Sequence, residues 1–337
     1  LIDLGTNSEV VLGCRDFLLC TSTSAGPAFE GAGIHQGMRA APGAIDQLRI
    51  RPTGSIMVRT IGGEDAVGVC GSGLIDAVAE LVRAGVVEPS GRLRPAAELS
   101  GKVPARLLER LVEAPTGERA VWLAGPADRR VLLTAGDIRQ LQLVKGSIAA
   151  GVRTLLDQAG LCEQDLDEVL IAGAFGNYLR KESAQAIGLV PRIDPERVRF
   201  VGNAAGAGAR LALVSPQARE RAERLACHAT FVELADHPGY HDAFVAAMAF
   251  PPPAAGSDTP AAEPATPAAG GGSGDDEEER RQRVLAARSH LLRVLGVIAA
   301  GAAEQALERC PYRTREDVCT FRGSCRNQVR AEHAPRR

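Results

Sequence analysis

The chain opens on short apolar runs broken by small polar residues. "LIDLG", "EVVLGC" and "FLLCTS" have the length and punctuation of three strands joined by hairpins. "AIDQLRI" and "SIMVRTI" repeat the strand pattern further on, after "SAGPAFEGAG", where Pro27 suits a helix start. The period then changes. In "GSGLIDAVAELVRAG", Leu74, Val78, Leu81 and Val82 share one helical face, Ser72 is placed to cap it and Gly85 to stop it. The longest periodic stretch, "TAGDIRQLQLVKGSIAAGVRTLLDQAG", begins with Thr134 and Asp137, a capping box with Asp in place of Glu. "EVLIAGAFG" and "RFVG" return to strands, and "NAAGAGARLALV" is a helix behind Asn203. Hairpin strands followed by helix–strand units predict a mixed α/β domain.

The pattern fades at "PPPAAGSDTPAAEPATPAAGGGSGDDEEE". Proline, alanine, glycine and acid without apolar periodicity cannot bury a core, so residues 251–279 read as a disordered linker. It separates a globular region, 1–250, from a helical tail, 280–337, that carries a cysteine cluster.

Composition narrows the function classes. A net charge of -2 argues against a general nucleic-acid binder, and 4% aromatics leave little for base stacking. No apolar run reaches the roughly 20 residues of a membrane helix; the stretch from Leu291 to Leu307 comes nearest, but Arg293 and Glu304 interrupt it. The expectation is a cytoplasmic protein, with no membrane and no nucleic acid among its partners.

Four stretches carry chemistry. In "DLGTN", a tight turn aims backbone N–H groups to one side, Gly5 lets a phosphate approach, Thr6 and Asn7 add polar groups, and Asp3 could orient a hydrated Mg2+. The competing reading is a polar hairpin that satisfies its own backbone. In "IAGAFGNYL", Gly173, Gly176 and Asn177 end an apolar strand, where α/β folds bind ligands, although such glycines also serve strand–helix packing. In "VGNAAGAGARL", Gly202 and Asn203 present a helix end; the small residues behind them favour helix packing. In "VCGSGLIDA", Ser72 suits capping or phosphate contact, and Cys70, with no local histidine, reads as a buried thiol. Asp46, Glu30 and Lys145 read as structural rather than catalytic, and His237 and His241 as surface histidines around Pro238.

In this order the motifs resemble the acetate and sugar kinase, heat-shock chaperone and actin (ASKHA) superfamily. More narrowly, "DLGTNSEVVLG", "TSAGPAFEGAGIHQGMRAAPGAI", "CGSGLIDAVAEL", "IRQLQLVKGSIAAG", "IAGAFGNYL", "IGLVP" and "FVGNAAGAGA" are similar to the C-terminal domain of ATP-dependent reductive activators of corrinoid proteins. The resemblance covers residues 1 to about 250 and implies a ribonuclease H-like, actin-like mixed sheet flanked by helices. It implies ATP and Mg2+ as cofactors, with Asp3 as the catalytic metal-orienting residue. Gly5, Thr6 and Asn7 would lie at the phosphates; Gly173, Gly176 and Asn177 at the adenosine; Gly202 and Asn203 at a helix end. Full-length members also carry a 2Fe–2S ferredoxin domain and a first actin-like half. The sequence is therefore expected to be a fragment or one piece of a split system. The cluster would belong to the N-terminal region that this chain lacks.

The implied task is to return a corrinoid from inactive Co(II) to Co(I), with a corrinoid protein of a methyltransferase system and an electron donor as partners; a homodimer is compatible with the resemblance. The competing readings are a small-molecule kinase of the same superfamily and a non-catalytic module that docks the corrinoid protein. In the tail, Cys310, Cys319 and Cys325 could hold zinc or an iron–sulfur cluster, with His333, Cys227 or a partner as fourth ligand. Their spacing matches neither zinc ribbons nor ferredoxins, so packing of reduced thiols competes.

Overall fold

The computed structural model describes residues 1–14, 16–173 and 179–252. The chain divides into two units, Leu1–Gly272 and Ser273–Arg337, and every described residue belongs to the first. Gly176, Asn177, all but two residues of the expected linker, and the tail with Cys310, Cys319 and Cys325 lie outside the described residues.

The strands are β1 (Ile2–Asp3), β2 (Ser8–Gly13), β3 (Leu18–Thr23), β4 (Ala44–Ile50), β5 (Ile56–Thr60), β6 (Gly68–Val69), β7 (Leu111–Glu113), β8 (Arg119–Ala124), β9 (Val131–Thr134), β10 (Val169–Ala172), β11 (Val198–Gly202) and β12 (Thr230–Phe231). The helices are α1 (Gly71–Arg83), α2 (Ala96–Leu99), α3 (Ala105–Leu108), α4 (Ala135–Ala159), α5 (Lys181–Ala186), α6 (Ala204–Val214), α7 (Pro216–His228) and α8 (Tyr240–Met248).

The main sheet has six strands in the order β11-β10-β1-β2-β3-β12. β1, β2 and β3 are the expected antiparallel hairpins, whereas β1, β10 and β11 run parallel. α4 crosses the hairpin face of this sheet so closely that a Cβ on Gly151 would come within 2.5 Å of Thr23 Cγ2. The capping box that starts α4 is formed: the Asp137 amide donates to Thr134 Oγ1 at 3.2 Å, and the Thr134 amide donates to Asp137 Oδ2 at 2.8 Å. Asp137 also receives the His35 amide at 2.6 Å, which ties the chain after β3 to the start of the helix. This mixed sheet flanked by helices is the expected fold.

A second sheet, β5-β4-β6, is covered by α1, all of whose residues from Gly71 to Val82 are buried. That burial includes Asp76 and Glu80, and the reason lies in the sheet. β6 is only two residues long and pairs with Ala44 and Ile45, which leaves the later backbone of β4 without a neighbouring strand on that side. Asp76 Oδ2 accepts the Leu48 amide at 3.3 Å and Glu80 Oε2 accepts the Ile50 amide at 3.0 Å. Arg180 Nη1 donates to the Leu48 carbonyl at 3.3 Å. Side chains thus complete the strand's hydrogen bonding where the sheet ends, as buried backbone groups require.

α1 departs from its sequence reading in one respect. Its N-cap is Cys70, whose side chain makes no capping bond; Ser72 is buried within the first turn. Gly85 does stop the helix, at φ 68°, with the Val86 amide donating back to the Leu81 carbonyl at 2.9 Å. The packing expected of α6 also differs: no residue of α6 is buried among the described residues, and Leu211, Leu213 and Val214 are exposed. A third sheet, β7-β8-β9, carries Trp122, with the guanidinium groups of Arg110 and Arg130 each 4.5 Å from its ring centre.

Candidate functional site

Parallel strands β1, β10 and β11 deliver the chain to one edge of the main sheet, because parallel neighbours share the direction of their carboxyl ends. Asp3 pairs with Ala172, and Ala172 pairs with Gly202 across a register shift in the ladder. The Leu4 amide donates to the Ala172 carbonyl and the Gly173 amide to the Gly202 carbonyl, both at 3.0 Å. Asp3, Gly5, Gly173, Gly202 and Asn203 are therefore brought to one edge.

Gly173 is the pivot of this edge. Its φ is +103°, a region that side chains disfavour, and a Cβ there would overlap the Leu4 carbonyl oxygen and sit 3.1 Å from Asp3 Oδ1. Gly202 has φ +65° and open space around it. Asn203 caps α6, its Oδ1 accepting the Gly206 amide at 2.7 Å, so that oxygen is spent on the helix.

The hairpin tip is partly self-satisfied. Buried Ser8 accepts the Gly5 amide at 3.3 Å and donates to the Gly5 carbonyl at 3.1 Å. Thr6 and Asn7 are exposed. Thr6 Oγ1 donates to Glu30 Oε1 at 2.8 Å, and the Thr6 carbonyl accepts the Gly26 amide at 2.8 Å. Glu30 belongs to a single turn, Pro27–Glu30, that follows β3 and packs behind the hairpin. Its other oxygen, Oε2, is buried and has no hydrogen-bond partner among the described residues.

The remaining sequence candidates fall elsewhere. "VCGSG" turns inward: a Cβ on Gly71 would come within 2.5 Å of the Phe29 carbonyl oxygen, and Cys70 Sγ is buried 3.3 Å from the Ile45 carbonyl. Cys70 is the buried thiol expected, and the glycines there serve close packing. Asp46 is buried under Arg59, which donates to it through Nε at 3.0 Å and Nη2 at 2.5 Å. Lys145 is buried with its ammonium on the Ala249 carbonyl. Both are structural, as read. His237 lies before α8 and His241 within it, so they do not share a helix face. A cavity of about 980 Å³ between the two smaller sheets, lined by His35, Glu64, Asp65, Glu113 and Arg130 among others, includes none of the strand-end glycines.

Sequence reading set Glu30 aside and did not single out Asp76, Glu80 or Arg180. The signal for the helix pair was present: two acids four apart on α1, on a helix whose other residues are mostly apolar. For Glu30 the signal was an acid closing a one-turn helix directly after a strand that neighbours the hairpin.

Two features of the edge bear on a magnesium nucleotide. Gly173 packs so closely on β1 that a Cβ would collide with the Leu4 carbonyl oxygen, which keeps Asp3 beside the strand ends, and Glu30 Oε2 is buried with no partner among the described residues. Among the described residues, no group of three or more His, Cys, Asp or Glu could cage a metal ion. A cation that keeps its waters and is carried by phosphates fits such a surface; a protein-caged ion does not.

Among the described residues, no helix is long and apolar enough to cross a membrane. Comparison with known proteins gives a consistent result. The corrinoid activation enzyme RamQ of Eubacterium limosum is 36% identical over 252 residues, covering 74% of this chain and 42% of the relative. A Co(II) methylated amine-specific corrinoid protein reductase of Methanosarcina barkeri is 29% identical over 231 residues, covering 62% of this chain and 37% of the relative. The solved structure of a reductive activator for corrinoid, iron-sulfur protein superposes with a TM-score of 0.65 at 40% identity, covering 74% of this chain and 39% of that one. The chain thus spans 42% and 37% of the lengths of these curated relatives. Residues 1–257 match the family described as the C-terminal domain of RACo, the ASKHA domain, and the chain belongs to that family.

Proposed function

We propose that this chain is the nucleotide-binding half of an ATP-dependent reductive activator that returns a Co(II) corrinoid, held on a partner protein, to Co(I). The observation that carries the reading is the meeting of the Asp3–Gly5 turn, Gly173 and Gly202 at the carboxyl ends of three adjacent parallel strands. The relatives' names supply the substrate class.

Each residue has a part in this reading. The Gly5 turn lies where a polyphosphate approaches, Gly173 lets β10 pack closely enough on β1 to keep Asp3 at the same edge, and Asp3 orients the hydrated Mg2+. Asn7 offers an amide at the tip, and α6 presents the free N–H groups of its first turn near Gly202. Bound MgATP would supply the free energy that reduction of the corrinoid requires. The need is set by potential: for one electron, each 59 mV of unfavourable difference is a factor of ten, or roughly 1.4 kcal/mol. The phosphate hairpin has no redox chemistry, so its contribution is conformational. Moving a partner from 1:99 to 99:1 between two states takes about 5.5 kcal/mol of differential binding. The electron comes from a donor outside this chain, and Co(II) plus that electron gives Co(I). A homodimer and a cytoplasmic location remain part of the reading.

The test is a titration with MgATP, comparing wild type with Asp3→Ala, followed by anaerobic incubation with a Co(II) corrinoid protein, an electron donor and ATP. The expected result is an affinity loss on the order of tenfold for Asp3→Ala, the size of one charge-assisted contact. ATP-dependent appearance of the Co(I) absorption is expected when an electron donor is supplied. Equal affinity removes Asp3 from the site. Phosphate transfer to a sugar or acid would favour a kinase, and capture of the corrinoid protein without ATP turnover a docking module.

A further inference from the structure

α6 is apolar nearly all round. Of its 11 residues only Arg210 is polar, the composition of a helix buried on every side. Yet none of its residues is buried, and Leu213 and Val214 are 76% and 80% exposed. α7 carries a narrower stripe: Ala218, Ala222 and Leu225 recur at helical spacing, and Leu225 is exposed. The two helices are braced as one piece. Arg219 donates through Nε and Nη2 to the Ala212 carbonyl, both at 3.1 Å, and Ser215 caps α7 by accepting the Ala218 amide at 3.2 Å.

The main sheet has a matching deficit. Its α4 side holds Val10, Thr21 and Thr23. On the other side Val11 lies across from Cys20 and Cys20 across from Phe231, while Leu1 exchanges both backbone bonds with Val11. Residues directly opposite share a face, so these four form one apolar row that ends at β12. Leu1 and Phe231 are exposed, and Val11 and Cys20 only half-buried.

Connectivity says what belongs on that row. β11 and β12 are parallel, stand at opposite edges of the sheet and are joined through α6 and α7. The crossover covers a span of about 24 Å, within reach of helices about 16 and 20 Å long. α4 lies on the crossover from β3 to β10, which runs the other way along the sheet. Crossovers between parallel strands keep one hand, so two that run in opposite directions place their helices on opposite faces. The face left bare by α4 is the one that α6 and α7 should cover.

We propose that α6 and α7 form a strap that closes over this bare face, turning at Gly202 and Ala229 and burying Leu211, Val214 and Leu225 against the row. Gly202 suits a hinge, with φ +65° and nothing within 4 Å of an added Cβ. Because α6 leaves the sheet at Gly202, closure also moves Asn203 relative to Asp3 and Gly173. A ligand held across that edge binds the open and closed strap unequally and so shifts it; this consequence alone rests on the nucleotide reading.

Hydrogen exchange of the full chain, followed by mass spectrometry, reads closure in residues 204–228 with α4 as the internal reference. That segment is expected to exchange on the order of tenfold more slowly in wild type than in the double variant Leu211→Asp, Leu225→Asp, since detached helices of this length are marginal in water. Both positions are exposed, so the variant should fold. Val11→Lys, which alters the sheet and not the strap, should speed the same segment and leave α4 protected. MgADP should slow the segment further in wild type. Exchange as fast in wild type as in the variants, with and without MgADP, overturns the strap. Protection that rises with protein concentration overturns it in favour of a second copy on the bare face. If calorimetry shows MgADP bound while a closed strap ignores it, the coupling is overturned and closure stands. No binding in calorimetry overturns the nucleotide reading, and a protected segment then supports closure by itself.

Discussion

Arg180 Nη1 lies 3.5 Å from Asp76 Oδ2 in a buried cluster that also holds Glu80, at 3.6 Å, and Ser183. Burial pushes the Asp76 carboxyl above the usual range; the opposing pulls of Ser183, Arg180 and the Leu48 amide are smaller, and the Glu80 charge adds to the rise. A carboxyl whose native pKa is raised binds its proton more readily folded than unfolded. Its ionisation therefore costs stability, in full above the raised pKa and not at all below the unfolded value near 3.8. Asp76→Asn removes that titration. The stability difference between wild type and Asp76→Asn, from urea denaturation at a series of pH values, should move in favour of wild type as pH falls from 7 towards 4. A difference that stays constant across that range would rule out Asp76 as a raised acid.

Arg180 also balances a charge that cannot reach water. The Asp76 side chain is 1% exposed, and Glu80 has a second partner in Arg83, at 2.6 Å, that Asp76 lacks. Arg180→Met leaves Asp76 uncompensated and should cost about 3 kcal/mol at neutral pH. With Asp76→Asn already in place, the same change should cost about half as much or less, since the two residues act as one unit. A double-mutant cycle by urea denaturation measures the difference; additive costs would mean that the pair does not interact.

The hairpins, α1 and α4 were legible because their signals are local: alternation, a cap, a stopping glycine. Two pieces were not. β12 pairs with β3 across some two hundred residues, Thr230 opposite Leu19, which no local pattern encodes. The burial of Asp76 and Glu80 depends on β6 being too short to cover β4, a fact of topology rather than of residue type. The sheet β7-β8-β9 is a different case: "APTGER" and "GPADRR" mark its turns openly, and the strands between them were passed over. For the site, the strand-end glycines could be named from spacing, whereas their meeting came from parallel pairing. Glu30 read as structural because its link to Thr6 joins a helical turn to a hairpin across 24 residues.

Lys145 gives a second pH signature, of opposite sign in its chemistry. Desolvation, with help from Arg192, pushes its ammonium down to about 8, while the Ala249 carbonyl and the Phe250 ring face hold the charged form in place. A base lowered on folding binds fewer protons native than unfolded between about 8 and 10.5, so stability rises with pH across that window. Wild type should gain on Lys145→Met as pH is raised from 7.5 to 10, measured by thermal or urea unfolding. A parallel pair of curves would show that the buried ammonium titrates normally.

The glycines at the site edge should differ sharply from one another when given a methyl group. Gly173→Ala meets both penalties, a positive φ and a Cβ driven into the Leu4 carbonyl, and should cost at least about 2 kcal/mol. Gly202→Ala has the positive φ alone, with nothing within 4 Å, and should cost about 1–2 kcal/mol. Gly208→Ala lies inside α6 with open space around it and should stabilise the protein by about 0.5–1 kcal/mol through helix propensity. The order Gly208, Gly202, Gly173, from gain to largest loss, is read from urea midpoints at constant m-value. Because a Cβ at position 173 would also crowd Asp3 Oδ1, at 3.1 Å, the Gly173 variant should lose nucleotide affinity beyond what partial unfolding explains, whereas Gly208→Ala should not. If Gly173→Ala folds as stably as Gly202→Ala, the close packing of β10 on β1 at the strand ends is wrong, and with it the shared edge on which the nucleotide reading is built.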